Sequence, residues 1–340
     1  MSRHHPDRRA FLALGAGALA VAATPRLFRR EGLLVRRRIP VMGTVAEIAV
    51  RHPNEAWAQR SMDLAFDELR RVDRTMSHFR DDSDVGRVNG AAGGAVVVSE
   101  GTAEVLAAAL AWSAASGGRF DPCLGRLVEE ESGQARAAMD GTRNRHAARA
   151  AMDGAPTVAG SDPAMATPAG DAPAGFAQAL ELDRTGSVPR VRLHDPGAAV
   201  DLGGIAKGYA VDLAARVLRD RGIFHALVNA GGDLVALGTD GQGEPWTVGV
   251  RSPDGSGRVV EVLRVTDAAV ATSGTYLQGA HLLDPRSAAP VRTSTRSLTV
   301  EAATCMDADA AATALFGAPA EERRRILHAA APGARIAHTL

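Results

Sequence analysis

The segment VDLGGIAKGYAVD, residues 200–212, combines an aspartate, two glycines and a lysine where a predicted strand, ending at Asp201, turns into a predicted helix. Backbone amides at the start of a helix bind anions, and glycines allow a phosphate to approach the backbone closely. Lys207, one turn into this helix, can reach the same anion. Taken alone, the motif is also explained by a plain strand–turn–helix with a solvated lysine.

A second segment, LVNAGGDL at 227–234, predicts a strand that runs into a turn built on Gly231 and Gly232. Adjacent glycines allow backbone dihedral angles that other residues avoid. The same residues are typical of a plain turn and of a functional loop, and the sequence leaves both interpretations open.

A third segment, CMDADAAAT at 305–313, places Asp309 and Thr313 four residues apart. On a helix this spacing presents the carboxylate and the hydroxyl on one face. A hard cation such as Mg²⁺ accepts such oxygen ligands and completes its octahedron with water and phosphate oxygens. The alternative is a helix start that Asp307 and Asp309 merely cap and charge.

The elements that must position these segments are predicted from apolar periodicity and from caps. Apolar residues at helical spacing between Met62 and Met76, and a capping Ser99, predict the first two helices. The predicted helices are 55–76, 100–116, 205–221, 307–316 and 320–330, and the predicted strands are 45–50, 225–230, 246–251, 259–265, 268–272 and 297–302. A loop is expected at 77–90. Because helices and strands interleave and short turns join several strands, an α+β fold is predicted rather than a doubly wound parallel sheet.

Length and composition narrow the class of protein. The 340 residues include 39 basic and 39 acidic side chains, so the basic surface of a nucleic-acid-binding protein is not expected. The length suits one large domain or two intimately packed ones. Cys123 and Cys305 are interpreted as buried small side chains, although an exported protein could pair them.

Three segments are expected to lie outside the core of the fold. Residues 1–30 carry Arg8-Arg9 ahead of a moderately apolar run rich in Gly and Ala. This pattern predicts a twin-arginine signal peptide and a location in the periplasm or on the outer face of the cytoplasmic membrane. An ordinary amphipathic helix is the alternative. Residues 131–180 predict a flexible surface insertion, and residues 331–340 a C-terminal tail.

Together with MGT at 42–44, FDPCLG at 120–125, and ATSGTY and HLLDP within 271–285, the three segments resemble, in chain order, the motifs of the ApbE family of FAD:protein FMN transferases. The resemblance reaches from about residue 38 to about residue 330 and leaves out the insertion. It implies an α+β fold of mixed α/β architecture, with the FAD and Mg²⁺ site in a cleft between two intimately packed lobes.

The activity implied by the resemblance is Mg²⁺-dependent transfer of FMN from FAD to a Thr or Ser hydroxyl of an acceptor flavoprotein, with release of AMP. The implied acceptor is a subunit of a respiratory membrane complex or a small FMN-binding domain. Two alternatives stay open: a Mg²⁺-dependent FAD pyrophosphatase that uses water as the nucleophile, and a periplasmic FAD-binding protein without turnover. The presence of Lys207, Asp309 and His281 together favours an enzyme.

The resemblance also assigns ligand contacts to individual residues. Mg²⁺ would be held by the backbone carbonyl of Gly204 and by the side chains of Asp309 and Thr313. FAD would be contacted by Met42, Phe79, Arg119, Phe120, Asp121, Asp201, Lys207, Gly231, Gly232 and Asp233.

Three residues are implied to act in catalysis. His281 would be the general base for the acceptor hydroxyl, since a neutral imidazole suits a compartment of near-neutral pH. Asp284 could orient this imidazole, and Lys207 would supply positive potential to the phosphates. A purely structural role is the alternative for His281.

The sequence departs from the family pattern at four places. Phe79 lacks the phenolic hydroxyl of the usual tyrosine, and glutamates at 129–131 replace the segment that usually follows FDPCLG. Thr275 stands where the family often has an acidic residue, and Ala312 stands where some members have a further metal-binding aspartate. These differences bear on the shape of the substrate site and on metal affinity.

Overall fold

The computed structural model describes residues 19–21, 32–125, 176–274, 283–286, 289–291 and 293–340. Its helices are α1 (Glu55–Met76), α2 (Asp84–Gly90), α3 (Glu100–Ser116), α4 (Ala206–Asp220), α5 (Cys305–Leu315) and α6 (Ala320–Ala330), with a 3-10 turn at Phe176–Ala179. Its strands are β1 (Leu19–Val21), β2 (Leu33–Val41), β3 (Thr44–His52), β4 (Val96–Val97), β5 (Leu180–Asp183), β6 (Arg190–Leu193), β7 (Ala226–Ala230), β8 (Asp233–Leu237), β9 (Trp246–Arg251), β10 (Val259–Val265), β11 (Ala268–Gly274), β12 (Leu283–Asp284), β13 (Ala289–Pro290), β14 (Ser297–Ala302) and β15 (Arg335–Thr339). None of the helices in these ranges is long and apolar enough to cross a lipid bilayer.

A seven-stranded antiparallel sheet forms the centre of the fold, in the strand order β15-β14-β11-β8-β7-β3-β2. Two tight hairpins, β2–β3 and β7–β8, lie next to each other in it. Because β3 also pairs with β7, with Ala46 opposite Ala230, both hairpin turns lie at the same end of the sheet. Smaller sheets are formed by β1-β9-β10, by β4-β6-β5 and by β12-β13.

Both faces of the central sheet are covered, and this explains why its inner strands are apolar almost throughout. Successive side chains of a strand point to opposite faces. Val228 and Val235 belong to the larger core, which includes residues of α1, α4 and α5. Leu227 and Leu234 belong to a smaller core that includes Trp246 of β9. The helices α4 and α5, which carry two of the three segments described above, therefore lie on one face of this sheet.

The predicted helices and the α+β fold are confirmed. Helix bounds agree with the prediction to within two residues, because caps and apolar stripes are local signals. The hydroxyl of Ser99 accepts a hydrogen bond from the backbone N–H of Thr102, as expected of a capping residue. Three predicted strands agree at both ends: 246–251, 259–265 and 297–302.

Two predictions about irregular segments are wrong. The stretch 77–90 is not a continuous loop, because Ser83 caps the short helix α2 by accepting a hydrogen bond from the N–H of Gly86 at 2.8 Å. The C-terminal residues 331–340 do not form a free tail, because β15 pairs with β14 and forms an edge of the central sheet.

Three smaller points also follow from the described residues. Asp201 does not end a regular strand, since only an isolated bridge between Leu124 and Ala199 precedes it. The strand β2 was not predicted, because three arginines interrupt its apolar pattern; long charged side chains are tolerated on an edge strand. Cys123 and Cys305 are free and buried, which confirms their interpretation as small buried side chains.

Parts of the predicted segments 1–30 and 131–180 take part in the fold. The backbone of Leu19–Val21 forms β1, which pairs with β9, whereas residues 1–30 were expected to stand outside the core. An apolar stretch of chain can satisfy the free hydrogen-bonding groups of an edge strand in this way. Most of the predicted insertion, 131–180, lies outside the described residues, and its last part forms the 3-10 turn and the start of β5.

Candidate functional site

Two hairpin turns border the site at one end of the central sheet. Met42 and Gly43 join β2 to β3 with φ angles of 52° and 69°, and Gly231 and Gly232 join β7 to β8 with 66° and 108°. Two-residue turns with positive φ match the right-handed twist of the paired strands. A side chain at position 231 would come within 2.7 Å of the Thr44 hydroxyl. Glycine is therefore required there, and the MGT and GGD motifs are neighbours.

Lys207 connects three of the predicted motifs through one ammonium group. Its Nζ lies 2.6 Å from Oδ2 of Asp233 and 3.3 Å from Oδ2 of Asp309. It also donates to the backbone carbonyl of Gly203 at 3.2 Å. The lysine sits at the second position of α4 rather than a full turn into it, so its side chain reaches across to β8 and α5.

The sequence contains a signal for this arrangement. Lys207 is the only lysine among the 39 basic residues of the chain. An ammonium is a compact point charge, whereas a guanidinium is a wide planar fork. A small cation fits between two buried carboxylates, and this geometry explains why a chain that uses arginine everywhere else has a lysine here.

Close packing of α4 on α5 brings the predicted metal ligands to the same place. The N–H of Gly208 donates to Oδ2 of Asp309 at 3.1 Å. A Cβ on Gly208 would lie 2.2 Å from the carbonyl oxygen of Cys305, and one on Gly204 would lie 3.0 Å from Oγ1 of Thr313. The glycines thus let the two helices approach until Gly204, Asp309 and Thr313 line one interface.

The charges at this interface are unequal, because two carboxylates face one ammonium. Burial raises the pKa of Asp309 to about 7; the negative charge of Asp233 adds to this rise, and Lys207 opposes it. Burial by itself would lower the pKa of Lys207, but Asp233 and Asp309 raise it above its ordinary value. Lys207 therefore stays charged, and the site retains an uncompensated negative charge when both carboxylates ionise.

The donor groups at this interface fit Mg²⁺. They are hard oxygen ligands next to an excess of negative charge, which is what this cation requires. Among the described residues, no group of three or more His, Cys, Asp or Glu side chains is arranged to hold a metal. A cation here would therefore depend on one carboxylate, a hydroxyl and a backbone carbonyl, as predicted for Asp309, Thr313 and Gly204.

His78, which belongs to none of the predicted motifs, contacts the glycine turn. Nδ1 of His78 lies 3.2 Å from Oδ1 of Asp201, and the same oxygen accepts a hydrogen bond from Gly203 N–H at 2.8 Å. Burial raises the pKa of Asp201, but the His78 contact and the Gly203 hydrogen bond outweigh it and lower the pKa below its usual range. Asp201 thus holds the turn and His78 together. The ring of Phe79 contacts that of His78 at a tilt of 45°, with the centroids 3.8 Å apart, and Phe79 is 83% exposed.

The residues predicted from the FDPCLG motif are mostly engaged within the protein. Asp121 is buried and accepts hydrogen bonds from the backbone N–H of Cys123 at 2.8 Å and of Ala177 at 3.1 Å. Burial raises its pKa. Arg119 donates to Glu322 at 2.6 Å. Phe120 is buried against the Gly204 turn, 3.3 Å from the position of a Cβ there.

Of the HLLDP segment, Asp284 is described and His281 lies outside the described residues, as does Thr275. The carboxylate of Asp284 accepts two hydrogen bonds from Arg286, at 3.0 and 2.8 Å. The Arg286 contact lowers the pKa of Asp284. The idea that Asp284 orients His281 stays a prediction, while the observed partner of this carboxylate is Arg286.

The fold agrees with that of known flavin transferases. The flavin transferase ApbE of Vibrio cholerae superposes with a TM-score of 0.64 at 26% identity, over 87% of this chain and 91% of that one. The ApbE protein of Thermotoga maritima superposes with a TM-score of 0.66 at 26% identity, over 87% and 90%. Two curated relatives are named FAD:protein FMN transferase. The Rhodobacter capsulatus protein is 32% identical over 94% of this chain and 58% of its own length, and the Treponema pallidum protein is 30% identical over 89% and 82%.

The chain belongs to the ApbE family, whose sequence model matches residues 42–336. This confirms the resemblance drawn from the motifs. The chain spans 58% of the length of the Rhodobacter capsulatus relative.

Replacing Lys207 with methionine is expected to lower the free energy of unfolding by about 3–5 kcal/mol at pH 8, because two buried carboxylates lose their counter-charge. This loss should shrink as the pH falls from 8 to 5. The pKa of Asp309 is raised to about 7 although Lys207 opposes the rise, so removing Lys207 raises it further. Aspartates of the unfolded chain titrate near 4, so on acidification the folded variant gains a proton before the folded wild type does, and it recovers stability relative to the wild type. Urea unfolding at several pH values measures both effects. Lys207→Arg is the matched control that keeps the charge, and it should recover part of the stability. An equal loss at pH 5 and pH 8 would contradict this account.

Proposed function

We propose that this chain is a Mg²⁺-dependent FAD:protein FMN transferase that attaches FMN to a Thr or Ser hydroxyl of an acceptor flavoprotein and releases AMP. The observation that carries the proposal is the contact of Lys207 with both Asp233 and Asp309 beside a glycine turn. A metal-bound diphosphate needs a fixed positive charge, hard oxygen ligands for the metal, and glycines that let the phosphate approach the backbone.

The bond changes of the reaction follow from the substrate. FAD carries a diphosphate between riboflavin and adenosine. The acceptor oxygen attacks the flavin-side phosphorus, the bond from this phosphorus to the bridging oxygen breaks, and AMP leaves with that oxygen. The hydroxyl proton goes to a base, for which we propose His281. Such transfers depend mainly on positioning and on neutralising charge.

The residues of this chain would divide that work between them. Gly204, Asp309 and Thr313 would hold Mg²⁺, which when bound neutralises the diphosphate and the leaving oxygen. Lys207 keeps its proton and adds positive potential at the glycine turn. Met42 and the Gly231-Gly232 turn would border the ligand at the end of the sheet, and the exposed ring of Phe79 would offer it an aromatic surface.

The test is mass spectrometry of a small FMN-binding domain co-expressed with this chain and supplied with FAD and Mg²⁺. Covalent FMN on the acceptor, absent when its target Thr or Ser is replaced by Ala, is the expected result. Release of FMN and AMP with an unmodified acceptor would instead identify a pyrophosphatase. Unchanged FAD that co-purifies with the chain would identify a binding protein.

We also propose export through the twin-arginine route, supported by Arg8-Arg9 ahead of the apolar run. Replacing both arginines with lysine is expected to leave precursor in the cytoplasm, because that route recognises the arginine pair. Cell fractionation and immunoblotting measure the distribution. Replacing Arg29 and Arg30, which follow the apolar run, is the control and should leave export unchanged. Normal export of the Arg8-Arg9 variant would overturn the proposal.

A further inference from the structure

Helix α5, which carries Asp309 and Thr313, is bonded at each end by a charged side chain of another helix. At its start, the carboxylate of Asp212 on α4 accepts hydrogen bonds from the backbone N–H groups of Cys305 at 2.8 Å and of Met306 at 2.9 Å. These are orphan donors that no residue within the helix can satisfy. A negative charge is also favoured at this end of a helix.

At the C-terminal end of α5, Arg323 on α6 donates hydrogen bonds to backbone carbonyls. Its guanidinium donates to the carbonyl oxygens of Leu315 and Phe316, both at 3.0 Å. A third bond, at 2.8 Å, joins it to the hydroxyl of Thr295. The Leu315 carbonyl also accepts from the N–H of Ala318 at 3.1 Å, and the positive charge of Arg323 suits the negative end of the helix. Arg323 is buried, so these bonds are shielded from water.

Most of the buried residues in the central part of α5 are alanines: Ala308, Ala310, Ala311, Ala312 and Ala314. Small side chains allow close approach, but they interlock weakly with their neighbours along the helix axis. In the middle of the helix, Asp309 is bonded to Lys207 and to the N–H of Gly208. The hydrogen bonds of Asp212 and Arg323 restrain the axial position of α5 at its two ends, while Gly208 allows its close approach to α4.

We propose that Asp212 and Arg323 are positioning residues that set where Asp309 and Thr313 lie relative to Lys207 and the Gly204 turn. The proposal rests on the metal-binding role given above to this site. It predicts that loss of either end contact weakens Mg²⁺ binding more than FAD binding, because two of the three proposed metal ligands lie on α5 and the residues proposed to border the flavin do not. Changes to partners that orient metal ligands typically cost 10–100-fold in metal affinity.

The experiment titrates Mg²⁺ against the full chain with saturating FAD. The midpoint is taken from the rise in melting temperature and, independently, from the rate of FMN transfer. Asp212→Ala and Arg323→Met are expected to raise both midpoints by about 10-fold or more, with little change in the KM for FAD. Asp212→Asn and Arg323→Lys keep part of the hydrogen bonding, so their shifts should be smaller and in the same direction. If Asp212→Ala and Arg323→Met are insoluble, the proposal is tested with Asp212→Asn and Arg323→Lys.

A matched control is Asp84, a buried carboxylate that accepts hydrogen bonds from the N–H and hydroxyl of Ser99 at the start of α3. Asp84→Asn should lower the melting temperature and leave the Mg²⁺ midpoint unchanged. Unchanged midpoints in folded Asp212 and Arg323 variants, or an equal shift in Asp84→Asn, would overturn the proposal. If the wild-type chain shows no Mg²⁺ response, the metal assignment itself is wrong and this inference fails with it.

Discussion

Replacing Asp309 with asparagine is expected to lower Mg²⁺-dependent FMN transfer by about two to three orders of magnitude while the protein stays folded. Asparagine has nearly the shape of aspartate but lacks the charge that a hard cation needs. Loss of one preorganised charge-stabilising group costs on this scale in other enzymes. The fold should persist because Lys207 would then face one carboxylate, Asp233, in a balanced pair. Transfer rates at limiting and saturating Mg²⁺, beside a urea unfolding curve, measure both parts.

The control for Asp309 is Asp307, which lies in the same helical turn. Its carboxylate accepts hydrogen bonds from the Thr304 hydroxyl at 2.7 Å and from the Trp112 indole at 3.3 Å, and it does not contact Lys207. Asp307→Asn should therefore keep transfer within a few-fold of the wild type. Wild-type transfer by Asp309→Asn at limiting Mg²⁺ would show that the ligand assignment is wrong.

Replacing His281 with asparagine is expected to separate binding from transfer. A general base contributes about 10²–10⁴-fold in rate, so flavinylation of a Thr-bearing acceptor should fall by that factor. Affinity for FAD and Mg²⁺ should change little, because the residues proposed to hold them lie in other segments. Flavinylation followed by mass spectrometry, beside FAD fluorescence, distinguishes the two effects.

The control for His281 is His194→Asn, which removes an exposed histidine paired with Glu181 and should change neither quantity. If FAD binding collapses together with transfer, His281 has a structural role. If neither changes, the base is another residue. Asp284 is then a weak candidate because its contact with Arg286 lowers its pKa and hence its basicity. His78, whose Nδ1 lies 3.2 Å from Oδ1 of Asp201, is the stronger candidate for the base.

Local patterns in the sequence predicted most of the helices and several strands. Helix bounds depend on apolar residues three or four apart, on a serine cap and on a terminal glycine. Each of these signals acts over a few residues, so the helix bounds can be predicted from the local sequence. Ser99 and the bounds of α3 are an example. The strand β2 was missed because three consecutive arginines interrupt its apolar residues, and the paired neighbour that stabilises it is a separate stretch of chain.

The motifs name the residues of the site but not the partners of their side chains. Asp233 is predicted to contact FAD, and in the structure its carboxylate is the nearest partner of Lys207. Asp121 is also predicted to contact FAD, and its carboxylate accepts hydrogen bonds from backbone N–H groups close to it. Both FAD contacts stay predictions, and a linear pattern contains no information about where a side chain finds its partner.

The sequence by itself determined the chemical inventory of this protein: one lysine, a glycine turn, a carboxylate and hydroxyl four residues apart, and the order of family motifs. Only the tertiary structure decided that Lys207 lies between Asp233 and Asp309, and that Asp212 and Arg323 hold the two ends of α5. These partners are far apart along the chain, so no local signal specifies them. They meet because burial of both faces of the central sheet packs α4 against α5, and buried charges must then find opposite charges or hydrogen bonds within reach.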